Sequence, residues 1–151
     1  MNIQIGDLEF EPLITPEAIQ TRIKEIAAEL NNEYKNKTPV FVGVLNGCFM
    51  LMADLVKEID IPCEVAFTKL SSYHGGISTT RRIRDDLDLV TDIAGRHIVL
   101  VEDIVDTGNT LDYLVAKLKL RKPASIIVCA LLLKPAALEY EIKELIIIPM
   151  K

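Results

Sequence analysis

Apolar positions along the chain follow two rhythms. Ile19, Ile23, Ile26, Ala27 and Leu30 recur every three or four residues and predict an amphipathic helix. Thr15-Pro16-Glu17 opens it: Thr caps, Pro suits the first helical position, and Glu complements the dipole. Asn31, Asn32 and residues 35–39 end it. Residues 40–45, VFVGVL, are continuously apolar and too few for a buried helix, so they predict a strand covered on both faces. Asn46-Gly47 breaks that run. Residues 49–59 return to the helical rhythm, and residues 63–70 predict another strand. Residues 97–101, HIVLV, predict a further buried strand. Leu111, Leu114, Val115 and Leu118 mark a helix, 125–133 a strand, and 144–148 a last short one. Strands that alternate with helices imply crossover connections, hence an α/β fold with a mainly parallel sheet flanked by helices.

Residues 71–84 fit neither rhythm. Ser71, Ser72, Gly75, Gly76, Ser78, Thr79 and Thr80 precede Arg81, Arg82 and Arg84. A long, mobile loop is expected there, and loops of that length inside a domain are usually functional.

Composition narrows the classes. The 151 residues suit one domain, and with half of them hydrophobic a core forms without staples. A net charge of −5 gives no general attraction to nucleic acid or an anionic membrane. Cys48, Cys63 and Cys129 lie far apart and are odd in number, which argues against a zinc site or a disulfide framework and for a reducing, cytoplasmic setting. The opening MNIQIGDLEFEP is acidic and lacks a long apolar run, so no signal peptide is expected. Nor does any apolar stretch approach the roughly 18 residues of a membrane span.

The chemistry concentrates after the 97–101 strand, in Glu102-Asp103-Ile104-Val105-Asp106-Thr107-Gly108-Asn109-Thr110. Ligands of open parallel sheets sit at the carboxyl ends of strands, where this turn falls. Thr107 to Thr110 lead into a helix, whose first N–H groups, with Gly108 and two hydroxyls, suit a phosphate. Glu102 and Asp103 would repel a phosphate unless a cation or a sugar hydroxyl intervened, which suggests magnesium or a ribose diol. A capped helix start with a solvated acidic loop is the plain alternative. Neither GxxxxGK[ST] nor GxGxxG is present.

Residues 98–110, IVLVEDIVDTGNT, closely resemble the phosphoribosyl pyrophosphate signature of type I phosphoribosyltransferases. Residues 42–54, VGVLNGCFMLMAD, resemble the pyrophosphate loop and following helix of the hypoxanthine-guanine group. Ser72-Tyr73-His74-Gly75-Gly76 is similar to that group's catalytic loop, and Leu131-Leu132-Leu133-Lys134 to its purine-contacting strand end. The matches keep their order over residues 10–149.

The resemblance implies a Rossmann-like type I fold and transfer of phosphoribose from phosphoribosyl pyrophosphate to hypoxanthine or guanine. It implies that Glu102 and Asp103 hold the ribose hydroxyls, directly or through Mg2+. Asp106 would be the general base at the purine, and Thr107, Gly108, Asn109 and Thr110 the 5′-phosphate cradle. Ile104 would lie against the purine, with a plain core isoleucine as its alternative. Lys134 would donate to the 6-oxo group and so reject adenine; a snorkelling surface lysine is the alternative. Asn46 and Gly47 would bind pyrophosphate through their backbone, with a cis bond between Leu45 and Asn46. Ser72 and Tyr73 would close over the reacting centre. For Arg81, Arg82 and Arg84 a solvated basic edge is expected, and His74, His97 and Cys129 need no catalytic role.

A homodimer or homotetramer is also implied. The family's pattern continues past the Ile148-Pro149 pair into a segment that supplies an aromatic residue on the purine and an acid near a second magnesium. A single domain over 1–151 lacking that purine-hood segment is therefore expected. Two other readings stay open: a noncatalytic sensor of phosphoribosyl pyrophosphate or nucleotide, and a xanthine-preferring sibling enzyme.

Overall fold

The computed structural model describes residues 2–73, 82–140 and 145–147. The two most apolar runs lie side by side at the centre of a six-stranded sheet. They form β3 (Val40–Leu45) and β6 (His97–Val105). Val40, Phe41, Val42, Ile98, Val99, Leu100 and Val101 are all fully buried, as strands covered on both faces must be. Around them stand β4 (Glu64–Tyr73), β5 (Arg82–Leu87), β7 (Ser125–Leu133) and β8 (Leu145–Ile147). The order is β5-β4-β3-β6-β7-β8. Every pairing is parallel except that of β4 with β5.

Side-chain alternation along the strands feeds two cores. On one face Phe41, Val99, Val101 and Cys129 pack against α1 (Pro16–Glu33) and α2 (Phe49–Lys57). On the other, Val40, Val42, Ile98, Leu100 and Val128 pack against α3 (Asn109–Lys119), Leu89 and Ile93. The N-cap of α1 is Thr15, whose hydroxyl accepts from Ala18 N–H at 3.2 Å, with Pro16 at the first helical position.

The predicted strands at 40–45 and 125–133 match the structure residue for residue. Three expectations need correction, and one element was not foreseen. The strand placed at 97–101 continues through Val105, because β7 offers it partners as far as Leu133. Helix α2 stops at Lys57, where the chain turns toward the sheet, rather than at residue 59. The loop expected over 71–84 is strand at both ends: Ser71 pairs with Arg84 and Ser72 with Ile83. Apart from Ile83 those residues are polar, so no period of two marked them; residues 74–81 of that loop lie outside the described residues. Finally, an antiparallel hairpin, β1 (Ile3–Ile5) with β2 (Leu8–Phe10), turns at Gly6, whose φ is +59°. Among the described residues, no helix is long and apolar enough to cross a membrane.

Candidate active site

The carboxyl ends of β3 and β6 and the start of α3 enclose a cleft of about 270 Å3. Val44, Leu45, Gly47, Leu70 and every residue from Glu102 to Leu111 line it. The structure thus brings together Gly47, Glu102, Asp103, Ile104, Asp106, Thr107, Gly108, Asn109 and Thr110. Sequence reasoning missed the apolar wall of Val44, Leu70, Val105 and Leu111. Leu70 reaches the cleft because β4 runs parallel to β3 and Leu70 follows Lys69, the partner of Leu45, a placement no local signal marks.

The two leading acids are on a strand, not in a turn. Consecutive strand residues face opposite ways. Asp103 follows Val99 and Val101 in the alternation and Glu102 follows Ile98 and Leu100, yet at the strand's end the two carboxyls come within hydrogen-bonding reach of each other. Glu102 is only 9% exposed. Burial, then the hydrogen bond and charge of Asp103, push its carboxyl up to about 8. Cys48 caps α2 without a side-chain bond; its thiol is pushed up to about 11, first by burial and then by Glu102 and Asp103. It is therefore a neutral packing group rather than a nucleophile.

This crowding of negative charge is the test for a cation. Two adjoining carboxyls, one held largely protonated by its surroundings, suit a divalent ion that would restore both as carboxylates. Among the described residues no three His, Cys, Asp or Glu side chains converge as a closed metal cage. Mg2+ characteristically takes one or two carboxylates and completes its shell with water and substrate phosphates, so the donor set fits.

Opposite Asp103 stands the turn after β3. A Cβ on Gly47 would fall on the Asp103 carboxyl group, so any larger residue there has to push that carboxyl aside. The Leu45–Asn46 bond is cis, as the resemblance implies. Asn46 is exposed, and its carbonyl accepts from Phe49 N–H at the start of α2.

At the other end of the turn, Gly108 is the N-cap of α3 with φ +84°, a left-handed conformation natural only to glycine. It brings no capping side chain. The Thr107 hydroxyl accepts from Asn109 N–H at 3.2 Å, which folds the loop over the helix start. The remaining first-turn N–H groups are left for an anion. Asp106 and Lys134 stand at the mouth, about half exposed, with 3.5 Å between carboxylate and ammonium. Backbone bonds fix that proximity: Lys134 N–H donates to Val105 carbonyl, and Glu139 N–H to Thr107 carbonyl.

Ser72 is exposed, two residues beyond Leu70 on β4. The roles expected of the Tyr73 side chain, and of His74, Gly75, Gly76, Arg81 and the Arg82 side chain, lie outside the described residues. Arg84 pairs with Asp86 at 2.6 Å, a solvated edge as expected. His97 shares a 2.7 Å hydrogen bond with Ser125 at the far end of β6 and has no place in the cleft.

A parallel sheet carrying carboxylates and an anion cradle at its strand tips defines a nucleotide- or sugar phosphate-handling protein. The family model for the phosphoribosyl transferase domain matches residues 14–148. Hypoxanthine phosphoribosyltransferase of Haemophilus influenzae is 43% identical over 86% of this chain and 74% of its own length. Hypoxanthine-guanine phosphoribosyltransferase of Bacillus subtilis is 42% identical, over 87% and 73%. The crystal structure of a hypoxanthine phosphoribosyltransferase from Staphylococcus aureus superposes with a TM-score of 0.82 at 38% identity, covering 92% of this chain and 77% of that one. The chain belongs to the phosphoribosyltransferase family, within its hypoxanthine-guanine group.

Proposed function

We propose that the protein is a purine salvage enzyme that moves phosphoribose from phosphoribosyl pyrophosphate to hypoxanthine or guanine, giving IMP or GMP and pyrophosphate. One observation carries this furthest. An acid, Asp106, and a hydrogen-bond donor, Lys134, stand together at the mouth of a cleft lined by carboxylates and by the first turn of α3. A sensor of the sugar phosphate alone would need neither.

The 5′-phosphate lies on the first turn of α3, held by the backbone of Gly108, Asn109 and Thr110 and by the Thr107 and Thr110 hydroxyls. Glu102 and Asp103 hold the ribose hydroxyls, and the same two residues would hold Mg2+. When bound, the ion neutralises the diphosphate leaving group. The backbone at Asn46 and Gly47 takes the pyrophosphate, and the absence of a side chain on Gly47 leaves room for the Asp103 carboxyl beside that turn. Lys134 turns from Asp106 to the purine's 6-oxo oxygen, and Ile104 packs against the ring. Asp106 then accepts the imidazole proton as the ring nitrogen bonds to the anomeric carbon and the bond to pyrophosphate breaks. Ser72 and Tyr73 shield that carbon from water.

Exposed Phe49 and Met50 at the start of α2, with Val65 and Phe67 on β4, make an apolar strip on the α2 face of the sheet. It supports assembly as a homodimer or homotetramer, and a monomer alone in sedimentation would refute that. The unpaired cysteines support a cytoplasmic setting. Incubation with magnesium, phosphoribosyl pyrophosphate and each of hypoxanthine, guanine, xanthine and adenine tests the whole reading. Nucleotide from hypoxanthine or guanine is expected. Nucleotide only from xanthine would make it the sibling enzyme, and none from any 6-oxopurine would leave the sensor.

A further inference from the structure

The walls of the cleft come from two units, the carboxyl end of β4 at Leu70 and the phosphate cradle at the start of α3. The pairing of β4 with its edge neighbour β5 shifts register between Lys69 and Leu70, an irregularity that interrupts the ladder on that side. A polar stripe on α3 reaches across to β5 there.

Tyr113, Lys117 and Arg121 recur at every fourth position, beside the buried Leu111, Leu114 and Leu118. The Tyr113 hydroxyl donates to Asp85 at 3.1 Å. Lys117 Nζ lies 3.0 Å from Asp85 and 2.8 Å from Asp88. Arg121 donates to the Leu89 and Thr91 carbonyls. In the β4–β5 ladder Asp85 stands opposite Leu70, and Ile83 opposite Ser72. Through Asp85 the stripe therefore grips β5 beside Leu70, the β4 residue that lines the cleft, and through Asp88, Leu89 and Thr91 it holds the chain that follows β5. Asn109 belongs to both sides: it lines the cleft and also a cavity of about 760 Å3 shared with Ile83, Tyr113 and Lys117.

On the reading of the cleft as a phosphoribosyl pyrophosphate site, we propose that Asp85, Tyr113 and Lys117 are positioning residues that set the distance between the β4 wall and the phosphate-binding turn of α3. Their contacts are with each other, not with substrate. Lys117 is about three-quarters covered and shared between two carboxylates, which separates it from a freely solvated surface pair. Its ammonium is held above its ordinary value, first by the hydrogen bond to Asp88, and Asp88 is held below its own, first by Lys117.

The test uses the full chain with Lys117→Met, Tyr113→Phe, the two together, and Lys117→Arg. Calorimetry measures affinity for magnesium phosphoribosyl pyrophosphate, and hydrogen exchange measures protection of residues 82–87. The double variant should bind about three- to sixfold more weakly and exchange faster over 82–87, the scale of a lost partly covered ion pair. Its KM for the purine should hold within about twofold, since the purine end of the cleft does not depend on β5. Lys117→Arg should restore both affinity and protection. Unchanged affinity with a lowered Tm would overturn the proposal by making the stripe merely structural. So would no measurable affinity in either protein. Binding is read without turnover, so a wild type that makes no nucleotide would fail the salvage reading while leaving this comparison decided.

Discussion

The two ends of β6 make an instructive pair. At its start lies the larger cavity, about 600 Å3, among α1, His97, Ser125 and Ile127. At its end lies the smaller cleft of about 270 Å3 with the acids. Size favours the first and chemistry the second. At the start, the polar groups answer one another: His97 bonds Ser125, its ring packs against Tyr34 with centroids 5.8 Å apart, and Lys37 lies 5.5 Å over the Tyr34 ring. At the end, carboxyls crowd together and the N-cap of α3 is a glycine with no side chain, which leaves Thr107 to take the Asn109 N–H and the next N–H groups open to an anion. A site is marked by groups left needing a partner, and a satisfied cluster is structure even where it borders open space.

The sharpest way to break this contrast is Asp106→Asn. Loss of a general base should cut turnover by about a hundredfold or more while sparing affinity for phosphoribosyl pyrophosphate. Steady-state rates beside calorimetry read both, and unchanged turnover would remove the base role. Gly47→Ala comes next. Its methyl has no room beside Asp103, and overpacking of this kind costs about 1–3 kcal/mol, or roughly ten- to a hundredfold in pyrophosphate affinity. Lys134→Met should lower kcat/KM for hypoxanthine about tenfold and erode its advantage over adenine, the loss of one charged hydrogen bond. Equal discrimination before and after would return Lys134 to the solvated surface.

A pH series sharpens the comparison further. Folding raises the Glu102 carboxyl from the ordinary value near about 4.3 to about 8, so the folded chain holds that proton more tightly than the unfolded one. The stabilisation is complete below the unfolded value and is lost as pH rises through about 8. In chelator, Tm should therefore fall from pH 6 to pH 9, and Glu102→Gln should flatten that slope. A wild-type Tm rising across the same interval would show that Glu102 is charged throughout. The smallest effect belongs to the other end of the strand. Ser125→Ala should cost about 1 kcal/mol of stability and leave turnover unchanged. A large loss of activity there would erase the distinction between the two ends.

How much of this was legible in sequence depended on periodicity. Val40 to Leu45 and Ser125 to Leu133 announced themselves because full burial leaves an unbroken apolar run. Residues 102–110 stood out because acids and a Thr-Gly helix start rarely meet after such a run. What stayed hidden was set by distant partners. Glu102 and Asp103 read as turn because the pairing with β7 that makes them strand is recorded nowhere near them. Leu70 reached the cleft through the pairing of β4 with β3, and Asp85 met Tyr113 across 28 positions of chain. The burial that raises Glu102 is likewise a property of the assembled layers, not of its neighbours in sequence.

Placing Glu102 and Asp103 on a strand also ties the acids to the rest of the sheet. Their backbone position is set by the pairing of β6 with β7, with Glu102 opposite Ala130 and Ile104 opposite Leu132. A substitution that loosened β7 at Ala130 or Leu132 would therefore displace the acids without touching either of them.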